Sequence, residues 1–188
     1  MVSYASLING VRAMHSGGII AYPAESCFGL GCDPSNSFAI RRLLRLKNRK
    51  REKGLILIAS NIKQLEHWVN LRASPNYAEI IASWPGPHTW ILPGSVSLNR
   101  WLVGMHCGLA VRVTAHPVAA KLCELFGGPI VSSSANIHGR PALQTAQQVQ
   151  KCYGSRLQGL VHDRIGNTGF PSEIRDGMSG KIIRPSQR

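Results

Sequence analysis

Apolar residues recur with two different spacings along the chain. Helical spacing predicts amphipathic helices at 6–16, near 62–70, near 76–83, near 116–126 and at 144–152. A further helix is predicted to begin after Ser35 or Asn36, either of which can cap it. Short apolar runs predict buried strands at 18–23, 55–59, 88–92, 108–114 and 129–133. A loop is predicted around Gly29 and Gly31, and short strands are predicted near the end of the chain, including 181–184.

This alternation of strands and helices predicts an α/β fold. The sheet is expected to be at least partly parallel, and the short strands near both ends of the chain indicate a mixed sheet. A length of 188 residues suits one domain over 1–188. The 44% of hydrophobic residues can build a core that needs neither disulfides nor metals.

The cysteines and the apolar runs bear on where the protein works. The five cysteines form no C-x-x-C pair, and no secretory signal precedes them. Reduced thiols in a cytoplasmic protein are the simplest interpretation. No apolar run approaches the roughly 20 residues that span a bilayer, so no membrane partner is expected. The seven histidines show no spacing typical of metal ligands.

The charge is strongly positive and locally concentrated. The net charge is +13, from 22 Lys and Arg against 9 Asp and Glu. An imbalance of this size favours polyanionic partners such as nucleotide phosphates or nucleic acid. Eight basic residues lie between Arg41 and Lys53, with only Glu52 against them.

Lys47 is the most informative residue of this basic stretch. It lies seven residues after Ile40 and therefore continues the apolar face of the helix, so its side chain must extend along that face or point into a cleft. If the helix ends at Asn48, Lys47 can converge with Arg49 and Lys53 on a phosphate. A solvent-exposed basic surface is the alternative, because charge runs commonly face solvent.

Polar residues at strand ends provide a second group of candidates. The strand at 129–133 runs directly into SSSAN (132–136), whose hydroxyls can donate to a phosphate or carboxylate; a helix cap or an ordinary turn is the alternative.

Arg112 lies within the apolar run LAVRV, where a buried guanidinium needs an anion or acceptors. Acidic residues are scarce, which favours a bound anion over a structural salt bridge. Glu25, in the loop after the first strand, can orient a basic group or cap that loop. Neither a P-loop nor a G-x-G-x-x-G motif occurs.

Six segments in order resemble the TsaC/YrdC-like threonylcarbamoyl-AMP synthase family, from about Gly18 to Arg184. YPAESCFGLGCDP is similar to the signature Y-P-T-E-[TA]-x-[FY]-G-L-G, and LKNRKREKGLILI to a K-x-R-x-x-x-K element. The other matching segments are WPGPHTWIL, LAVRVTAHP, SSSAN and PSEIRD. The resemblance implies a twisted, open mixed sheet with flanking helices and a deep basic cleft. It also implies synthesis of threonylcarbamoyl-AMP and pyrophosphate from L-threonine, bicarbonate and ATP, for threonylcarbamoyladenosine in tRNA.

The resemblance also implies roles for individual residues. For ATP these are Lys47, Arg49, Lys53, Ser134, Asn136 and Arg184. For threonine or its carbamate they are Arg112, Ser132 and Ser172. Mg²⁺ would arrive with ATP, and the chemistry would rely on positioning and cationic stabilisation without a covalent nucleophile. Downstream threonylcarbamoyl-transferase proteins, and tRNA or RNA itself, are the implied partners.

Two positions depart from the family pattern. Ala24 stands where the family usually has a threonine of the amino-acid pocket, and Thr114 stands where a proline is common. Ala24 puts the threonine contact in doubt more than the ATP site. Two other classes of function stay open: a non-catalytic RNA-binding module, which the net charge of +13 and the basic helix end suit, and a nucleotide sensor that has kept the cleft without the chemistry, which Ala24 favours.

Overall fold

The computed structural model describes residues 2–94, 98–105, 107–137, 139–167 and 170–186. The α-helices in these residues are α1 (Tyr4–His15), α2 (Ser37–Leu46), α3 (Tyr77–Ala82), α4 (Arg100–Val103), α5 (Pro117–Phe126) and α6 (Ala146–Tyr153). Short 3₁₀ turns occur at Arg51–Lys53, Ile62–Leu65, Leu71–Ala73 and Gly154–Arg156. No helix in the described part of the chain is long and apolar enough to cross a membrane.

The strands of these residues form one mixed, open sheet. They are β1 (Ile20–Pro23), β2 (Phe28–Gly31), β3 (Ile56–Ala59), β4 (His88–Leu92), β5 (Leu109–Val113), β6 (Ile130–Ser134), β7 (Gly159–Leu160), β8 (Glu173–Asp176) and β9 (Ile182–Arg184). Their order is β7-β1-β2-β6-β3-β5-β4-β8-β9. The pairs β1–β7, β3–β5 and β4–β8 are parallel and the other pairs are antiparallel. The predicted mixed α/β fold is confirmed.

The sheet separates two apolar clusters, because successive strand residues point to opposite faces. On one face, α1 and α5 pack over Ile20, Ile58 and Ile130. On the other face, α2 contributes to a larger cluster that includes Leu57, Val111 and Val131. Burial on both faces explains why the central strands are continuous apolar runs in the sequence.

Two sequence predictions of local structure are wrong. The segment predicted as a loop around Gly29 and Gly31 is strand β2, paired antiparallel with β1. The ring of Tyr22 packs on this strand: a β-carbon at Gly31 would lie 2.8 Å from a ring carbon. Glycine is therefore required for the close approach, and two glycines in four residues hide the strand signal.

The second error concerns the helix predicted near 62–70. Only a 3₁₀ turn, Ile62–Leu65, forms there, after Asn61 caps it by accepting from the amide of Gln64. The chain then turns so that Val69 is buried and pairs with Gly94 in an isolated bridge. Helix α4 was not predicted, because four residues are too few to establish a period.

Candidate active site

A cleft of about 570 Å³ opens on the sheet face that also carries α1 and α5. Cross-strand neighbours share a face, and Ile56 lies opposite Ser132 while Ile58 lies opposite Arg112. Beyond the area covered by the helices, this face becomes polar and lines the cleft. The volume is in the range of small-molecule sites.

The described lining of this cleft is strongly basic. It includes four arginines: Arg49, Arg112, Arg140 and Arg184. Glu25 is the only acidic residue among the lining residues that the structure describes. An arrangement with this charge imbalance is complementary to an anionic ligand.

Arg112 is buried within β5 and is paired with Glu25. Its Nη2 donates to Glu25 Oε2 at 3.0 Å, and both side chains are only 9% exposed. Glu25 Oε1 also accepts from the hydroxyl of Thr114 at 2.5 Å. The expectation that Arg112 has no structural salt bridge, which rested on the scarcity of acidic residues, is therefore wrong. The turn after β1 places Glu25 beside β5, where it is the partner of Arg112. Arg112 Nε is buried and has no acceptor among the described residues.

Ser132, Ser172 and Arg184 line the same cleft as Arg112. Arg184, at the end of β9, donates to the carbonyl oxygen of Ser172 at 2.7 Å and lies 3.3 Å from its hydroxyl. The hydroxyl of Thr89 donates to Ser172 Oγ at 3.1 Å. The structure thus brings together the three residues predicted for threonine, and Arg184 with them.

Lys47 is buried and anchors the turn that follows β6. Its Nζ donates to the carbonyl oxygen of Ser134, to the carbonyl oxygen of Asn136 at 3.0 Å and to Asn136 Oδ1 at 3.1 Å. Ser134 Oγ donates to the same Oδ1 at 2.7 Å. The solvent-exposed alternative for Lys47 is therefore wrong. In this geometry the ammonium group has protein acceptors for all three of its protons, so Lys47 fixes Ser134 and Asn136 at the cleft wall.

Arg49 and Lys53 follow the end of α2. The helix ends at Leu46, and Asn48 adopts a positive φ of 50°, which turns the chain and lets the amide of Arg49 donate to the carbonyl oxygen of Leu44. The Arg49 guanidinium donates to the carbonyl oxygen of Gly54 at 3.0 Å and lines the cleft. Lys53 lines a smaller adjoining cavity, which shares Arg49 and Arg184 with the cleft.

Burial and mutual repulsion lower the pKa of three cations around the cleft, Lys47, Arg49 and Arg184. Burial, and then the charge of Arg49, lowers the pKa of Lys47 to about 8. Burial followed by Arg184 lowers the pKa of Arg49, and burial followed by Arg112 lowers that of Arg184. Each of these charges thus interacts with the next, and we call the set of Lys47, Arg49, Arg184 and Arg112 the row of cations. An anion in the cleft would relieve this repulsion.

Several residues in the cleft or behind it were not predicted from the sequence. Arg140 and Gln144 come from the segment between β6 and α6, which showed no motif. Thr114 was noted only as a departure from a pattern, and its bond to Glu25 could not be inferred because it depends on how β1 and β5 are placed. Ala24 is buried but lines the cleft, as the family resemblance implies for this position.

Comparisons with known proteins agree with the predicted family and fold. The Sua5/YciO/YrdC family model, described as "Telomere recombination", matches residues 12–186. The threonylcarbamoyl-AMP synthase of Stenotrophomonas maltophilia (strain K279a) is 44% identical over 181 residues, which are 95% of this chain and 97% of that protein. The corresponding protein of Xanthomonas oryzae pv. oryzae (strain PXO99A) is 42% identical over 186 residues, 98% of this chain and 100% of that protein.

Solved structures extend the comparison. P. abyssi Sua5, crystallised in complex with L-threonine, superimposes with a TM-score of 0.87 at 30% identity over 96% of this chain. This chain spans 54% of that longer protein. E. coli YciO shares the fold, with a TM-score of 0.83 at 22% identity over 96% of this chain and 89% of that one. On its sequence and its fold, the chain belongs to the Sua5/YciO/YrdC family.

Proposed function

We propose that this protein is a threonylcarbamoyl-AMP synthase. The reaction converts L-threonine, bicarbonate and ATP into threonylcarbamoyl-AMP and pyrophosphate, and places the enzyme among the nucleotidyltransferases. The observation that carries the proposal is the cleft in which four arginines and Glu25 are the charged side chains of the described lining. The named function of relatives at 42–44% identity supports it, as does the L-threonine complex of P. abyssi Sua5.

The chemistry requires an anionic transition state to be stabilised. The threonine amine attacks CO₂ derived from bicarbonate and, after losing a proton, becomes a carbamate. A carbamate oxygen then attacks the α-phosphorus of ATP; a new P–O bond forms, the bond to the bridging oxygen breaks, and pyrophosphate leaves with the electron pair. Charge accumulates on phosphoryl oxygens, so fixed cations and alignment supply the catalysis.

The row of cations suggests how the substrates are divided along the cleft. Arg112, Ser132 and Ser172 lie together and suit the carboxylate and carbamate of the amino acid. Arg49 and Arg184 suit phosphate oxygens, with Lys53 in the adjoining cavity. Lys47 contributes its charge close to Arg49 and holds Ser134 and Asn136 in place. These assignments stay predictions of the site.

Mg²⁺ enters this proposal as part of the substrate. No cluster of three His, Cys, Asp or Glu that could hold a metal ion occurs among the described residues. Glu25 already has donors on both carboxylate oxygens. The residues of the cleft therefore suit a Mg²⁺ ion that arrives bound to the ATP phosphates, where it would neutralise the leaving pyrophosphate.

Pyrophosphate release is the decisive measurement. We expect release that requires ATP, L-threonine and bicarbonate together, with threonylcarbamoyl-AMP as the co-product by mass spectrometry. Omission of each substrate in turn is the control. ATP binding without threonine-dependent release would contradict the proposal and favour the sensor. Binding of tRNA without any turnover would favour the RNA-binding module. The cytoplasmic location, the downstream transferases and direct tRNA binding remain predictions.

A further inference from the structure

Thr114 lies directly behind the cleft and does not line it. The residue follows β5 and is 2% exposed. Its hydroxyl accepts from the backbone amide of His116 at 3.2 Å and donates to Glu25 Oε1 at 2.5 Å. An amide can only donate, so the single hydroxyl proton is directed to the carboxylate. The hydroxyl thus connects the start of α5 to Glu25.

Glu25 is held from two sides. Oε1 accepts from Thr114, and Oε2 accepts from Arg112 Nη2 at 3.0 Å. Both the carboxylate and the guanidinium are nine-tenths buried, so neither has bulk water as a substitute partner. Because the carboxylate cannot rotate without losing one of these bonds, its orientation fixes the guanidinium it contacts.

We propose that Thr114 is a positioning residue that sets the orientation of Arg112 through Glu25, and thereby the affinity of the site for the amino-acid substrate. This inference rests on the proposed function, because it takes the ligand of Arg112 to be the threonine carboxylate or carbamate. Thr114 touches no substrate. Its effect is transmitted through Glu25 and Arg112, the buried ion pair at the floor of the cleft.

The position of Thr114 predicts a selective kinetic effect. Removing its hydroxyl leaves Glu25 Oε1 without its donor and lets the ion pair reorient. A hydrogen bond to a charged group corresponds to roughly 10- to 100-fold in an equilibrium constant, and only part of that reaches Arg112, so we expect KM for threonine to rise about 10-fold. The ATP phosphates are assigned to Arg49 and Arg184, so KM for ATP should change by less than about 2-fold.

Thr114→Val and Thr114→Ser form the matched pair that tests this. Valine keeps the shape and removes the hydroxyl, whereas serine keeps the hydroxyl and removes a methyl group. We expect the threonine effect with valine and near-wild-type constants with serine. A purely structural role predicts a different result: a lower melting temperature for valine with both Michaelis constants unchanged.

Three results would overturn the inference: an unchanged KM for threonine in Thr114→Val, an equal rise in both Michaelis constants, or serine behaving like valine. If valine does not fold, Thr114→Ala removes the same hydroxyl without adding an apolar branch, and the same comparison applies. Failure of the proposed function is distinguishable, because wild-type protein would then show no threonine-dependent pyrophosphate release. If calorimetry detects no binding of threonine to the wild-type protein, both the proposed function and the role of Thr114 are wrong.

Discussion

Replacing Arg112 by methionine separates the structural role of this residue from its role in binding. Methionine approximates the length of the arginine stem and removes the guanidinium. The substitution leaves Glu25 buried with the Thr114 hydroxyl as its remaining side-chain donor among the residues that the structure describes. Since an unpaired buried charge is costly, the fold should lose stability even without ligand.

The magnitude follows from the burial of the pair. Both side chains are 9% exposed and the contact is 3.0 Å, so solvent screens the interaction little. Breaking such a pair by removing one partner costs about 3–5 kcal/mol. For a chain of this size that corresponds to a fall in Tm of roughly 6–20 °C. Threonine-dependent pyrophosphate release should be lost as well.

Urea denaturation and thermal melting of the ligand-free protein provide the measurement. The matched control is Arg51→Met, because Arg51 contacts Glu52 at 3.6 Å with both side chains about half exposed. That surface pair should contribute at most about 1 kcal/mol. The double variant Glu25→Gln/Arg112→Met removes both charges, so it should regain much of the lost stability while remaining inactive.

Two results would refute this reasoning. If Arg112→Met is as stable as Arg51→Met, the ion pair does not stabilise the fold and Arg112 serves the ligand alone. If the double variant recovers activity together with stability, the guanidinium has no part in binding threonine, and the assignment of Arg112 to the amino acid is wrong.

Further substitutions test other parts of the cleft. Lys47→Ala should weaken ATP binding about 10-fold and threonine binding less, by calorimetry, because Ser134 and Asn136 lose the ammonium group that holds them in place. Burial lowers the pKa of Lys47 from 10.5 to about 8 in the folded protein, so between these values the unfolded chain binds more protons than the folded one. As the pH rises from about 8 to 10.5, the free energy of unfolding of wild type, measured in urea, should therefore increase relative to that of Lys47→Ala. Arg184→Met should raise KM for ATP about 10-fold or more, and unchanged ATP kinetics would remove Arg184 from the site. Ala24→Thr should lower KM for threonine by less than a full charged hydrogen bond; a markedly higher KM would show that this pocket differs from the family pattern.

The sequence predicted the fold where periodicity was strong. Helices α1, α2 and α5 and strands β3 and β5 have regular apolar patterns, since each buries a complete face. Prediction failed where packing overrides the pattern. At β2 the ring of Tyr22 requires glycines, and at 62–70 the chain turns to bury Val69.

The site was predictable as a set of residue types and less so as a geometry. Lys47 was identified because a lysine on an apolar helix face needs acceptors for its ammonium group. The structure shows that these acceptors lie in the turn at Ser134 and Asn136. The partner of Arg112 was missed because Glu25 lies 87 residues away in sequence. Arg140 was missed because nothing in its local pattern distinguishes it from a surface arginine.

The distribution of charge in the cleft argues for a ligand with two separated anionic groups. Arg184 interacts with two other members of the row: its charge contributes to the lowered pKa of Arg49, and, after burial, the charge of Arg112 lowers the pKa of Arg184. A single small anion bound beside Arg49 would add nothing to Arg112, whose anionic partner among the described residues is Glu25. Threonylcarbamoyl-AMP carries a carboxylate on the amino acid and a phosphoryl group on the nucleotide, so we predict that its carboxylate binds at Arg112 and its phosphoryl group at Arg49 and Arg184.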